Sequence, residues 1–438
     1  MIDLNAEGVV IFFGTMNAMP MMYARELRKL GQDVIYFVDV PEKNTLCRPE
    51  NHFQDIAYPY PEWIVEFILP TPLTANLFPK LTLRLMLRKA RCQKKFDAVK
   101  AVFLSGSFIS YAPHLEKSTF KIFLTHGSDL DTWCNTRNTD ALSQGMRRRS
   151  IFKFMPYMIT KRLIKSIVSK NLKSAKKADV LLYFPRGMNK IGDRIISEIE
   201  SAGVTYVPRY DVSFDLLKHV NREFKAPRAK LVVFSVVRFL YKTFPEGNEG
   251  YCKGNDNIIQ GLAKYKKFNN NIEIHFVEKG EDVHYAKILC DELGLSDVVV
   301  WHKEMPFKNL IKLFELADIC FDQVGTHWVG AGIYALYLGR PLIANAKNMS
   351  FMGESPIMNA ENPDDVFNCM VALSDPSFRR VISDRSKQFA DERFGPSAVL
   401  ENLVRYSGPR KLDSHNALNL VGIRRVQNGG EEEPCERV

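Results

Sequence analysis

The stretch that decides the fold is Ala317 to Asn345, ADICFDQVGTHWVGAGIYALYLGRPLIAN. A short apolar run, Ile319 to Phe321, reads as a buried strand. A polar, glycine-dense turn follows, then a helix that stops at Gly339, and after Arg340-Pro341 a second apolar strand spans Leu342 to Ala344. A glycine-rich turn from strand to helix gathers backbone N–H groups at a helix N-terminus, which suits a phosphate. By shape alone it also fits an ordinary tight connection between strand and helix.

Upstream, the same alternation repeats. Strands are predicted at Leu231 to Val237, Ile272 to Val277 and Val298 to Trp301, and helices at Asn257 to Lys266, His284 to Leu293 and Phe307 to Leu316. An earlier series opens the chain: strand Val9 to Phe13, turn Gly14-Thr15, helix Pro20 to Leu30, strand Asp33 to Val38. Further strands fit Ala101 to Leu104, Lys121 to Leu124 and Val180 to Tyr183. Strands alternating with helices imply an α/β fold with parallel, doubly wound sheets, and two series imply two domains facing a shared cleft. The expected divisions are a first domain over 1–217, a charged linker over 218–230, a second domain over 231–395, a terminal helix over 396–407 and a disordered tail over 408–438.

Composition narrows the function. The chain has 438 residues, 46% of them hydrophobic, and a net charge of +10, with a pI near 9.0; acidic partners fit that balance. No apolar run approaches the roughly 20 residues of a membrane span, and the N-terminus lacks a secretory pattern. Cysteines 47, 92, 134, 252, 290, 320, 369 and 435 show no CxxC spacing. Neither a zinc site nor a disulfide framework is expected, and the expected compartment is the cytoplasm.

Two segments concentrate the positive charge. No acidic residue lies between Asp140 and Asp179, where Arg147, Arg148, Arg149, Lys153, Lys161, Arg162 and Lys165 alternate with apolar residues; Pro79 to Lys95 is a shorter counterpart. Such a pattern suits an anionic membrane surface. A solvated helix face packed on its own domain gives the same pattern. Nucleic acid is the least favoured partner, because no recognition motif accompanies the charge.

Candidate chemistry sits in the second half. Arg238 follows a strand and Lys253-Gly254-Asn255-Asp256 enters a helix, so the two cations are placed to clamp a diphosphate. Lys242 competes with Lys253 for that role across the long loop TFPEGNEGYC.

These elements together resemble the donor domain of a GT-B glycosyltransferase of the large retaining group 1 (GT4) family. The matching order is Arg238, KGNDNIIQGLAKY, IHFVEKG, VVVWHKEMP, ADICFDQ and ALYLGRPLIAN, the last standing where that family has EAMA-x-G-x-P-V-I. Gly14 and the THGSD segment, His126 to Asp129, resemble the acceptor domain more loosely. The likeness covers about residues 8 to 407. It departs at the pair of glutamates that flank the family's glycine turn. Thr326 and Tyr334 stand near those places, with Asp322-Gln323 just upstream, a pair that a subset of such enzymes carries.

The resemblance implies transfer of a sugar, with retention, from a nucleotide-diphosphate sugar to a glycan acceptor, with a lipid-linked acceptor expected, in cell-surface polysaccharide or glycolipid synthesis. Arg238 and Lys253 would neutralise the leaving diphosphate, and His126 would reach a sugar hydroxyl across the cleft. Gly14, His302, Asp322, Gln323, Val324, Gly325, Thr326 and Tyr334 would bind the donor, with N–H groups of Val324, Gly325 and Thr326 on a phosphate. No metal or cofactor is expected: Asp129-Leu130-Asp131 matches a metal-binding DxD only superficially, and His302 and His327 lack further spaced ligands. The first domain would dock on the inner face of a membrane. Two alternatives stay open: a GT-B protein without activity, acting as a binding scaffold, and a GT-B nucleotide-sugar epimerase.

Overall fold

The computed structural model describes residues 1–405 except 72, 150, 188, 210–216, 218, 226, 244–251, 326–329, 348–354 and 402, with backbone alone at 149, 151, 396–398 and 405. The predicted tail lies outside these residues.

After a short strand β1 (Ile2–Asp3), seven strands build the first sheet: β2 (Val9–Phe13), β3 (Val34–Val38), β4 (Ile64–Glu66), β5 (Val99–Leu104), β6 (Phe120–Leu124), β7 (Val180–Tyr183) and β8 (Thr205–Pro208). They run in parallel in the order β4-β3-β2-β5-β6-β7-β8. The helices of this half are α1 (Pro20–Lys29), α2 (Thr74–Leu77), α3 (Pro79–Gln93), α4 (Ser128–Asp131), α5 (Thr139–Arg149), α6 (Tyr157–Ala175) and α7 (Lys190–Glu200). The apolar runs that mark the strands are continuous because both faces are covered. Along β2, Val9, Ile11 and Phe13 enter one core cluster while Val10 and Phe12 enter the other. Phe12 stacks on Phe103 at 4.3 Å and Phe13 on Phe37 at 5.0 Å, and burying each such ring contributes on the order of 2 kcal/mol.

The second sheet is also parallel: β9 (Leu231–Ser235), β10 (Ile272–Glu278), β11 (Val299–Lys303), β12 (Ile319–Phe321), β13 (Leu342–Ala344) and β14 (Met358–Asn359), in the order β11-β10-β9-β12-β13-β14. Its helices are α8 (Asn255–Phe268), α9 (Val283–Glu292), α10 (Phe307–Leu316), α11 (Gly332–Tyr337), α12 (Pro363–Ser374) and α13 (Pro376–Arg393). Local chemistry sets several starts: Asn362 caps α12 through the N–H groups of Asp364 and Asp365, with Pro363 in the first turn.

Two features differ from the expected organisation. The charged segment read as a linker docks along the second domain: Arg222 reaches the Tyr337 carbonyl at 2.6 Å and the Asp391 carboxylate at 3.0 Å, and Leu217, read as the last residue of the first domain, is buried in the core of the second. The last described segment returns to the first domain. There α14 (Pro396–Glu401) brings Val399, Leu400 and Leu403 into the first core, and β15 (Val404–Arg405) pairs with β1, Ile2 opposite Val404.

Strand order reverses between β2 and β5 in one sheet and between β9 and β12 in the other. Loops diverge at such points, leaving a crevice beyond the carboxyl ends of the strands. Every candidate residue discussed next, the membrane set aside, follows or ends one of these strands or lies in the loop or helix that the strand leads into.

Candidate active site

Beyond β9 and β12 two segments cross in backbone contact. Val324 N–H donates to the Lys253 carbonyl at 3.1 Å, and the Asn345 side chain donates to the Gly325 carbonyl at 2.6 Å. Glycine is required on both sides of the crossing. Gly254 takes φ +67, and a Cβ there would stand 2.5 Å from Gly325 N; a Cβ on Gly325 would overlap the Cys252 carbonyl oxygen. The crossing presents Lys253, whose Nζ donates to Gln323 Oε1 at 3.0 Å. Burial lowers the Lys253 pKa and the Arg238 charge adds to this, while Asp322 and, from the opposite domain, Asp131 oppose it. An ammonium held among these groups is poised for an anion.

Arg238 lies beside it, its Nη2 on Glu281 at 2.5 Å. The turn after β10 fits against Arg238 only because residue 280 is glycine, at φ +115, where a Cβ would come within 2.8 Å of the Arg238 side chain. Asp282, which the sequence reading missed, accepts the N–H groups of Tyr241, Lys242 and Thr243 and so fixes the loop after β9. Lys242 turns away, its Nζ 4.9 Å from the Tyr285 ring. Lys253 is thus the ammonium at the crossing.

Several sequence expectations change here. The Asp322 carboxylate is engaged by backbone: it accepts Gln323 N–H at 2.8 Å and Gly332 N–H at 2.7 Å. It is itself the anion at the start of α11, where a phosphate was expected, because a short acid just past a strand reaches the next helix's first donors. The Val324 N–H is likewise engaged, by Lys253. Tyr334 packs its ring on Phe307 at 4.5 Å and Phe314 at 6.3 Å, against α10. His302, on the edge strand β11, contacts His275 Nδ1 at 2.8 Å, and His275 Nε2 meets Glu273 at 2.8 Å. Thr326 and His327 lie outside the described residues.

The opposite wall comes from the first domain. Gly14, at φ +96, lets the turn after β2 approach Ser105, 3.0 Å from where a Cβ would sit. Thr15 is held by Asp39, through N–H at 3.0 Å and hydroxyl at 2.5 Å, and the next turn carries Asn17 and Ala18 at positive φ. His126 follows β6. Arg209, at the end of β8 and buried, donates to the Thr125 carbonyl and approaches His126 Nδ1 at 3.3 Å. A guanidinium only donates, so Nδ1 accepts and the proton is assigned to Nε2. That Nε2 is buried without a partner among the described residues. Burial, then the Arg209 charge, holds the ring pKa well below its usual value. His126 is therefore a neutral donor.

The DxD carboxylates turn into the protein. Asp129 accepts His126 N–H at 2.8 Å, Leu130 N–H at 3.1 Å and Gly106 N–H at 3.3 Å. Asp131 accepts the Asn189 amide at 2.9 Å. Burial pushes the Asp129 carboxyl up to about 6, against the pull of the His126 N–H, the Arg209 charge and the Gly106 N–H. The folded chain then holds more protons than the unfolded one between pH 4 and 6, so stability falls as pH rises through that window, by roughly 2–3 kcal/mol. Asp129→Asn keeps an oxygen acceptor and removes the charge. Its melting temperature should lose that segment of pH dependence relative to the parent; parallel curves would exclude the assignment.

Of the basic set, Lys161 pairs with Asp140 at 2.7 Å, while Arg162 and Lys165 lie exposed on α6. Arg147 and Arg148 lie on α5, and the side chain of Arg149 is outside the described atoms. No helix among the described residues is long and apolar enough to cross a membrane.

No family model matches the sequence, and no curated protein matches it. Solved structures do. Sucrose-phosphate synthase from Thermosynechococcus elongatus is 14% identical with a TM-score of 0.56, over 90% of this chain and 96% of that one. A glycosyltransferase from Rickettsia africae ESF-5 is 11% identical with a TM-score of 0.54, over 91% and 97%. Anabaena HepE, in complex with UDP and glucose, is 11% identical with a TM-score of 0.53, over 91% and 98%. At these identities the likeness is one of fold: the chain has the GT-B architecture of two parallel-sheet α/β domains.

Proposed function

We propose that the protein is a glycosyltransferase that moves a sugar, with retention, from a nucleotide-diphosphate donor to a glycan acceptor carried on a lipid at an anionic membrane. The observation that carries this reading is the Lys253 ammonium, fixed by the crossed glycine segments at the carboxyl ends of β9 and β12 and facing the first domain. HepE, of the same fold, is recorded with UDP and glucose, which supports a nucleotide sugar as the ligand of this crevice.

In this reading Lys253 and Arg238 take the charge that develops on the leaving diphosphate. Arg238 exchanges its Glu281 pairing for phosphate oxygens as the donor enters. His126 donates its Nε2 proton to a hydroxyl of the donor sugar, in the tautomer that Arg209 sets. In same-face transfer the leaving phosphate oxygen takes the acceptor's proton, so no protein base is needed. Charge neutralisation by two side chains removes the need for a divalent ion, and chelator should leave turnover unchanged. Synthesis of a surface polysaccharide or glycolipid, by a protein peripheral to the inner face of the membrane, fits the basic first domain.

The test is a thermal-shift screen against UDP-, GDP- and ADP-sugars. A ligand at a hundred times its Kd stabilises by about 2.7 kcal/mol, so one donor should raise the melting temperature by several degrees. That donor should then be consumed only when an acceptor is present. Binding without turnover on any acceptor identifies a scaffold, interconversion of the free nucleotide sugar identifies an epimerase, and no shift with any nucleotide sugar refutes the reading.

A further inference from the structure

On the first domain, Gln144, Arg147, Arg148 and Lys153 line a cavity of about 320 Å³. Three cations surround one opening, and no acid is among the described residues that line it. The nearest acid by sequence on this helix, Asp140, is paired with Lys161. The Arg147 Nε is buried with no hydrogen-bond partner among the described residues, a cost that an anionic oxygen in the cavity would remove.

The rim supplies a second, independent feature. Lys153 Nζ lies 4.8 Å from the ring of Phe154, and Phe154 is 81% exposed. One turn on, Met158 and Ile159 begin α6 at 59% and 51% exposure. The same helix face continues with exposed Arg162 and Lys165, while Ile164, Ile167 and Val168 face the core. A neighbouring helix pair repeats the arrangement. There α2, which packs on α6, and α3 expose Phe78 and Leu81 ahead of Arg84 and Arg88. Apolar tips followed by basic heads are the layering of an interfacial helix.

We propose that this cavity seats the phosphate of an anionic phospholipid headgroup while Phe154, Met158 and Ile159 enter the acyl boundary. The inference rests on the membrane reading above and gives it a definite lipid contact. A free phosphate accounts for the cations and leaves the exposed apolar tips without a role. A nucleic acid requires cations along a track and aromatic faces for its bases, whereas Met158 and Ile159 offer no stacking surface.

The full-length chain is sedimented with vesicles of phosphatidylcholine alone and with phosphatidylglycerol at about one part in three. Binding is expected only to the second. Arg147→Ala/Arg148→Ala/Lys153→Ala should weaken it by at least about tenfold. An equal loss of charge far along α6 and just past its end, Lys170→Ala/Lys173→Ala/Lys177→Ala, should weaken it by about threefold or less. In Phe154→Trp, the added emission should be quenched by acyl-brominated lipid in the anionic vesicles. Equal losses from the two triple variants, or an unquenched tryptophan, overturn the inference. Saturation by inorganic phosphate without vesicle binding overturns it in favour of a soluble ligand. Failure of the parent chain to bind any vesicle overturns the membrane reading as well. The donor thermal shift, run on the same samples, reports on the crevice separately, so loss of one reading is visible without the other. Unchanged melting of each variant shows that the fold is intact.

Discussion

Lys253→Ala is expected to lower kcat for sugar transfer by about 10²- to 10³-fold, with the protein still folded. The side chain stands where two domains contribute charge, Asp322 and Arg238 from its own and Asp131 from the other. Burial already lowers its pKa, so its removal relieves a desolvation cost and should leave stability nearly unchanged. What is lost is an ammonium fixed before the reaction by Gln323, whose interaction strengthens as the diphosphate departs. Interactions stronger in the transition state than in the bound donor appear in kcat rather than in KM. The check is steady-state kinetics with the donor selected by thermal shift. A variant turning over at parental rate would remove Lys253 from the chemistry and leave Arg238 as the principal cation.

Gly325→Ala is expected to be the most damaging single methyl group in the second domain. Its Cβ would overlap the Cys252 carbonyl oxygen and lie 2.8 Å from the carbonyl carbons of Cys252 and Lys253. These are backbone atoms, and no rotamer change can clear them. The segments must separate, breaking the Val324 to Lys253 bond and moving Lys253 from Gln323. Overpacking of this kind costs about 3 kcal/mol, equivalent to a fall of roughly 6–12 °C in the melting of a domain of this size. Nucleotide-sugar binding should fall with it. Calorimetry with and without donor separates the two effects, and a midpoint within a degree of the parent would show that the crossing is slack.

The strands were legible because they are buried on both faces. VVIFF, ICF and LIA are apolar throughout, and periodicity is not needed to find them. The short strands Ile64–Glu66, Thr205–Pro208 and Met358–Asn359 passed unnoticed, all three of them sheet edges with too few residues to carry a pattern. In the site, the sequence showed the residues whose chemistry is local: Arg238 after a strand, Lys253 before a helix, Gly325 in a turn. It did not show their holders. Asp282 carries no motif, and its part emerges only when α9 meets the loop after β9. Arg209 follows a proline at the end of an edge strand, and only the folded sheet sets it beside His126. Asp322 was visible but its hold on the Gly332 N–H was not, since sequence cannot say whether a carboxylate turns toward a ligand or toward the helix that follows it.

The return of the last described segment to the first domain has a consequence for the order of assembly. Ile2 and its sheet partner Val404 stand at opposite ends of the described residues. Val399, Leu400 and Leu403 cover an apolar surface on the first domain that stays bare while the second is being synthesised. The pairing closes a loop that holds both sheets, and its entropy is recovered only once both stand. The first domain is thus sealed only after the second has been made, and a chain that stops short of Val399 displays the same greasy seam to every neighbour it meets.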